Sequence, residues 1–235
     1  MANFEYLLTL LPSLPENLGD KVSLEEAYNI LRFEDDAKIS YLVDILSAED
    51  EIIKCGMQYY VLEDKSYKTE LPQSLPESFQ EVFFSFKDKT EAEWMTSVFS
   101  AWFDMMIGTG KKVGSALLSN WAKWEYSLRL NIMFDRLKKA GIEYDKSELT
   151  PDYLYFDDQF NTDYVMDAYK KCSEPMIAEK TIDQFRLDFL RNSAISYSFS
   201  ADELIAYMLE LRIYARYSRL DLEKGRKILQ EVTAI

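Results

Sequence analysis

The chain of 235 residues contains no histidine. A Ser-His-Asp or Cys-His nucleophile system cannot be assembled without imidazole. Glu-x-x-His di-metal bundles and HExxH zinc sites are excluded for the same reason. No side chain has an ordinary pKa between 5 and 8. Carboxylates, Lys, Tyr and Cys remain for any chemistry. Cysteine is nearly absent too: Cys55 and Cys172 stand far apart, outside any CxxC pair, as expected of reduced thiols in a cytosolic protein. No apolar run approaches the ~20 residues of a membrane helix. The start, "MANFEYLLTLLPSLPENLG", lacks the basic opening and small-residue cleavage site of a signal peptide. Seven glycines and six prolines are few, and they cluster between periodic segments.

What is abundant is acid. The net charge is −14, which opposes binding to nucleic acid or anionic membranes and suits a partner with a basic surface. Apolar residues recur at helical spacing, and strict alternation is almost absent. Ser23 with Glu26, Thr90 with Glu93, Thr181 with Gln184 and Ser200 with Glu203 fit the capping box, in which a hydroxyl accepts from the third backbone N–H and the acid or amide reaches back. Ser47 with Asp50 is a weaker relative. The pattern predicts helices over 23–33, 36–55 (broken near Ser47), 77–86, 90–107, 115–140, 162–172, 175–193, 200–220 and 221–232. Residues 4–11 read as a short extended segment. Polar stretches at 63–76 and 143–158 read as excursions. The expected fold is all-α, a multi-helix bundle of antiparallel helices with helical hairpins. It forms one domain over 1–235, with 63–76 as the candidate point of subdivision.

The stretch "IGTGKKVGS", 107–115, holds three glycines and two lysines. A P-loop needs glycine five places before Gly110, where Met105 stands, and a hydroxyl after Lys111, where Lys112 stands. The dinucleotide fingerprint fails because Gly114 comes one place late and no strand precedes it. The stretch therefore reads as a helix–turn–helix connection. Gly108 or Gly110 would cap the first helix, Lys111 and Lys112 would sit at its negative end, and Ser115 would open the next.

Acidic pairs invite a metal reading. Asp157, Asp158, Asn161 and Asp163 resemble the DDxxD of helical prenyl-transferring enzymes, with Asn161 in place of the third carboxylate. Asp35, Asp36 and Asp44 offer a second cluster, with helix capping as the alternative. Trp121 and Trp124 with Leu117 and Leu128 form an apolar stripe, either core or an aromatic groove. Glu125 and Arg129 make an i,i+4 pair that supports its helix by a few tenths of a kcal/mol. Arg212, Arg216 and Arg219 share one helix face, either neutralised internally or aimed at a partner.

Three stretches carry a resemblance: "FEYLLTLLPSLPENLGDKVSLEEAYNIL", "NWAKWEYSLRLNIMFDRLKKAG" and the tail from "TIDQFRLDFLRNS" through "ELIAYMLELRIYARYSRL" to "ILQEV". Together they resemble an uncharacterised bacterial family encoded among V-type (A-type) ATP synthase genes. That family is itself similar to the socket component of the ATP synthase that joins the central stalk to the proteolipid ring. The resemblance implies an all-helical, non-catalytic socket of this kind, with no cofactor. Its partners would be other V/A-type ATPase subunits, with no nucleic acid and no direct membrane insertion. It would be cytoplasmic and peripheral to the membrane through those partners, with Arg212, Arg216 and Arg219 as candidate contacts. The competing readings are a helical enzyme using carboxylate-bound Mg²⁺ on a diphosphate substrate, and a general helical adaptor.

Replacing Lys111 and Lys112 together by Ala is expected to leave ATP binding unchanged in calorimetric titration, at undetectable. An ATP affinity abolished by this double change would reinstate a phosphate-binding loop.

Overall fold

A computed structural model describes residues 4–33, 36–64, 66–155 and 160–218. The described residues form helices and no strand, so the all-α multi-helix bundle is the observed fold. Arg219, Asp157, Asp158, Asp35 and the helix expected over 221–232 lie outside the described residues.

The centre is an antiparallel hairpin of α5 (Glu91–Val113) and α6 (Ala116–Lys139). Against it pack α3 (Ala37–Cys55), α4 (Glu77–Phe84), α9 (Asp163–Lys171), α10 (Pro175–Ser193) and α11 (Ala201–Ser218), and α2 (Leu24–Phe33) lies on α3 and α11. Short turns α7 (Lys146–Leu149) and α8 (Asp152–Tyr155) lie within the second excursion. Trp94, Trp124, Phe83, Phe86 and Phe103 are among the largest fully buried side chains. The Trp121–Trp124 stripe belongs to this core, along with Leu117 and Leu128. Trp94 and Trp102 bring their indole N–H groups inside by donating to the Phe83 and Ile45 carbonyls at 2.8 and 2.9 Å, which offsets the cost of burying a donor.

Helix starts follow the capping chemistry. Thr90 and Glu93 satisfy each other's backbone in a full capping box. Ser23 accepts from Glu26 N at 3.1 Å, and Asp36 accepts from Lys38 N and Ile39 N at the start of α3. The second acidic cluster thus resolves into a cap and a clamp: Asp44 accepts from Arg32 and Ser74 at 2.9 and 2.6 Å.

Four expectations are corrected. Residues 4–11 are not extended, because α1 (Phe4–Leu10) is a helix. Phe4, Leu7, Leu8 and Leu11 fall on one helical face packed against the core, and α1 rests on α2 and α11. Helix α3 does not break at Ser47, whose hydroxyl donates to the Val43 carbonyl within the helix at 2.7 Å. It runs on as a wider turn, Gly56–Val61, with Leu62 N bonding Met57 O. Thr181 and Gln184 lie inside α10, which opens six residues earlier with Pro175 at its first turn, where proline's missing N–H costs nothing.

The fourth concerns the glycines. Helix α5 runs through Gly108 and Gly110 to Val113, and the cap is Gly114 at φ 74°. That left-handed conformation is open to glycine at no steric cost. Lys111 and Lys112 therefore lie within the last turn of α5, still at its negative end. Gly110 has a different reason to exist. A Cβ there would collide with Ser119 Oγ and lie 2.9 Å from Ser115 O and Ser119 N, so α5 and α6 meet backbone to backbone. Ser115 caps α6 as expected, accepting from Leu118 N at 3.0 Å. Its hydroxyl also donates to Asp202 at the start of α11.

Gly108 and Gly110 should therefore respond oppositely to one methyl group. Gly108→Ala meets open space and is expected to stabilise by about 0.5–1 kcal/mol through helix propensity. Gly110→Ala is expected to destabilise by about 1–3 kcal/mol through overpacking. Urea unfolding of both variants measures the difference, and equal effects would contradict a close helix crossing at Gly110.

Candidate functional site

The polar centre of the molecule is a ring of ion pairs crossing α3, α6, α10 and α11. On α6, Arg129 donates from Nε to Glu125 at 2.7 Å and from its terminal nitrogen to Glu49 of α3 at 2.5 Å. Arg186 of α10 donates to both oxygens of Glu125, at 2.8 and 2.5 Å, and to Asp183 one turn earlier at 2.7 Å. Asp183 also accepts from Arg216 of α11. One turn before Arg216, Arg212 returns to Glu49 at 2.9 Å and to Asp50 at 2.8 Å, and donates to the Tyr28 hydroxyl of α2 at 3.0 Å. Arg212 and Arg216 carry like charge, so the ring is closed between them by the backbone of α11 and not by an ion pair.

The two shared carboxylates of α6 and α10 are inside. The Glu125 side chain is 2% exposed and that of Asp183 1%. The Arg129 guanidinium also stands over the rings of Phe99, Trp102 and Phe103, 5.1–5.8 Å from their centres, where a cation is attracted to the aromatic faces. The i,i+4 pair of Glu125 and Arg129 is therefore no surface brace. It is a segment of a buried circuit, and its role changes with its environment.

Burial alone would raise the Glu49 carboxyl, but Arg129 and Arg212 overcome that and hold it at about 2. Glu125 is lowered likewise by Arg186 and Arg129 against the effect of burial. Burial opposes the charge on Arg129, Arg186 and Arg212, yet their partners raise all three: carboxylates for Arg129 and Arg186, and Tyr28 followed by Glu49 and Asp50 for Arg212. Glu49, Glu125, Arg129, Arg186 and Arg212 thus keep their charges throughout the neutral range, and proton transfer is poorly matched to them. Outside it, burial holds the Cys55 thiol up at about 11, in its inert thiol form.

The ring forms one wall of a cleft of about 1130 Å³. Ile53, Met57, Ile132, Met133, Leu209 and Ile213 contribute apolar lining. Of the arginine stripe, Arg212 is turned inward among Glu49, Asp50 and Tyr28. Arg216 is 44% exposed and reaches Glu179 as well as Asp183. Of the first acidic cluster, Asn161 accepts from Asp163 N at 2.7 Å in the turn before α9. Among the described residues no three His, Cys, Asp or Glu side chains come together as metal ligands.

Nothing in the sequence singles out Glu49, Asp50, Asp183 or Arg186 as ring members. Their spacing signal is weak: Asp183–Arg186 is an i,i+3 pair like many on solvated faces. Only the pairing of distant helices reveals their role.

One family similarity accompanies this geometry. Residues 147–234 match a family described as "Protein of unknown function (DUF2764)". No curated protein and no solved structure matches the chain. The matched stretch contains the α10 and α11 half of the ring.

Glu125→Gln keeps the shape and removes the anion shared by Arg129 and Arg186. Leaving buried charge uncompensated is expected to cost about 3–5 kcal/mol in urea unfolding, while a loss near the few tenths of a surface pair would refute the buried circuit. Glu49 adds a pH dependence. Its carboxyl lies below its ordinary 4.5, so its stabilisation is present above about pH 4.5 and is lost as pH falls towards 2. The full shift is worth about 3 kcal/mol. The Tm gap between the natural chain and Glu49→Gln is expected to be widest at neutral pH and to close in acid. A gap independent of pH would assign Glu49 no ionic role.

Proposed function

We propose that this protein is a non-catalytic coupling subunit or accessory protein of a bacterial V/A-type ATPase, docked between the rotor stalk and the membrane ring. The observation that carries the reading is the run of ion pairs from Arg212 through Glu49, Arg129, Glu125, Arg186 and Asp183 to Arg216, whose two ends are joined by the backbone of α11. It uses charged groups to fix four helices against one another. A body that must pass on displacement needs that property, because a helix free to rotate or slide would absorb the motion. The all-helical frame supports the same reading. So do the three stretches that resemble the ATPase-associated family, two of which supply ring residues: Glu125 and Arg129 in one, Asp183, Arg186, Arg212 and Arg216 in the other.

No helix is long and apolar enough to cross a membrane among the described residues, so membrane association in this reading runs through partner subunits. Of the arginine stripe, Arg216 is the described member most open to a partner, and it lines the cleft.

Affinity isolation from native membranes, under conditions that preserve the motor, tests the assignment. The protein is expected to copurify with stalk and ring subunits. Recovery of the protein alone beside an intact ATPase would point to an unrelated adaptor.

A further inference from the structure

The corner between α10 and α11 presents an unusual surface. Ile195 is 78% exposed and Tyr197 85%, and Phe199 is exposed beside them. Ser196, Ser198 and Ser200 alternate with these apolar residues. Tyr197 and Phe199 both take the left-handed conformation, at φ 60° and 49°. Bulky side chains rarely adopt it, and glycine or asparagine would occupy it at less cost. Two strained aromatic residues at the most exposed part of a turn do not serve the core.

The corner is also held in place. Glu203, in the first turn of α11, accepts from Tyr197 N with one carboxylate oxygen and from Phe199 N with the other, each at 2.7 Å. Ser198 and Ser200 join hydroxyls at 2.8 Å, and Ser200 accepts from Glu203 N. The backbone amides thus form a small cup around the chain's own anion. The neighbouring Asp202 is tied to Ser115 at the α5–α6 turn, which links the corner to the central hairpin. A pre-formed turn of this kind loses little freedom on binding.

We propose that this corner is a docking knob: Ile195, Tyr197 and Phe199 enter an apolar pocket with a basic rim on a partner protein. An apolar centre interleaved with hydroxyls matches the anatomy of protein interfaces, and exposed tyrosine is a favoured anchor. Asp202 and Glu203 at the base, together with the net charge of −14, select a cationic rim. The same acidity opposes an anionic membrane surface. The inference rests on the docking function proposed above and names the surface that performs it.

The probe is the purified V/A-type ATPase motor, with the full chain titrated onto it. Ile195→Ser with Tyr197→Ser is expected to weaken binding about tenfold or more, while Ile142→Ser, at an exposed apolar residue after α6, leaves it unchanged. Tyr197→Gly separates anchoring from folding. It relieves the left-handed strain and is expected to raise Tm by about 2 °C or more, yet to weaken binding as the double change does. Binding by the natural chain is expected to weaken as salt rises; salt-independent binding overturns the basic rim.

If the natural chain binds and the corner variants bind equally well, the knob is overturned while the ATPase assignment stands. If the natural chain does not bind the motor, that assignment falls and the knob with it. Tyr197-dependent pelleting with phosphatidylcholine vesicles would give the corner to a membrane surface. Tyr197-dependent self-association in sedimentation would give it to a second copy. Either result overturns the proposal.

Discussion

Burying charge is costly unless every charge finds an opposite partner, and this molecule is organised around that constraint. Glu125 and Asp183 are almost wholly enclosed, so each must keep its guanidinium partners at bonding distance. Those partners sit on different helices. Satisfying them fixes the rotation of α3, α6, α10 and α11 together, because a helix that slips by one residue turns by about 100° and carries its charged group out of the circuit. The desolvation penalty cancels much of the Coulomb attraction. The ring therefore acts less as a store of stability than as a register that penalises wrong arrangements.

The apolar core supplies the stability that the ring directs. Trp94, Phe83, Phe86 and Tyr60 meet edge-on or tilted at one end of the bundle, an arrangement that aromatic rings favour. At the other end, the absence of a side chain at Gly110 lets α5 and α6 touch. Between them Arg129 joins the two kinds of packing, with one face on rings and its donors on carboxylates. A rigid frame follows from this combination, and the proposed docking role needs such a frame. The strained α10–α11 corner extends the same logic to the surface: Glu203 holds it from α11, and Ser115 and Asp202 connect that support to the central hairpin.

Helix type was legible because caps and periodicity are local. Thr90 with Glu93, Asp36 before α3 and Ser115 before α6 needed only their own neighbours. Expectation and structure part where a local signal meets a distant partner. Gly108 and Gly110 look like helix breakers in isolation, at about 1 kcal/mol each. The close approach of α6 makes Gly110 necessary, and α5 continues to Gly114. Thr181 has a capping sequence but lies mid-helix, since Pro175 had already opened α10. The short apolar run at 4–11 read as extended from its sequence, and its packing on α2 and α11 makes it a helix.

Composition and short-range spacing were enough to establish that the protein is helical, that imidazole chemistry is absent and that the net charge is strongly acidic. None of these needs a tertiary contact. Which charges are buried, and with whom, emerged only when the helices packed. Glu49 and Arg212 are separated by most of the chain, yet lie 2.9 Å apart. Arg129 could have been an exposed helix brace and is the junction of the circuit. Pairing across helices depends on the packing angle and rotation of each one, and those are set collectively by the core rather than by any single segment.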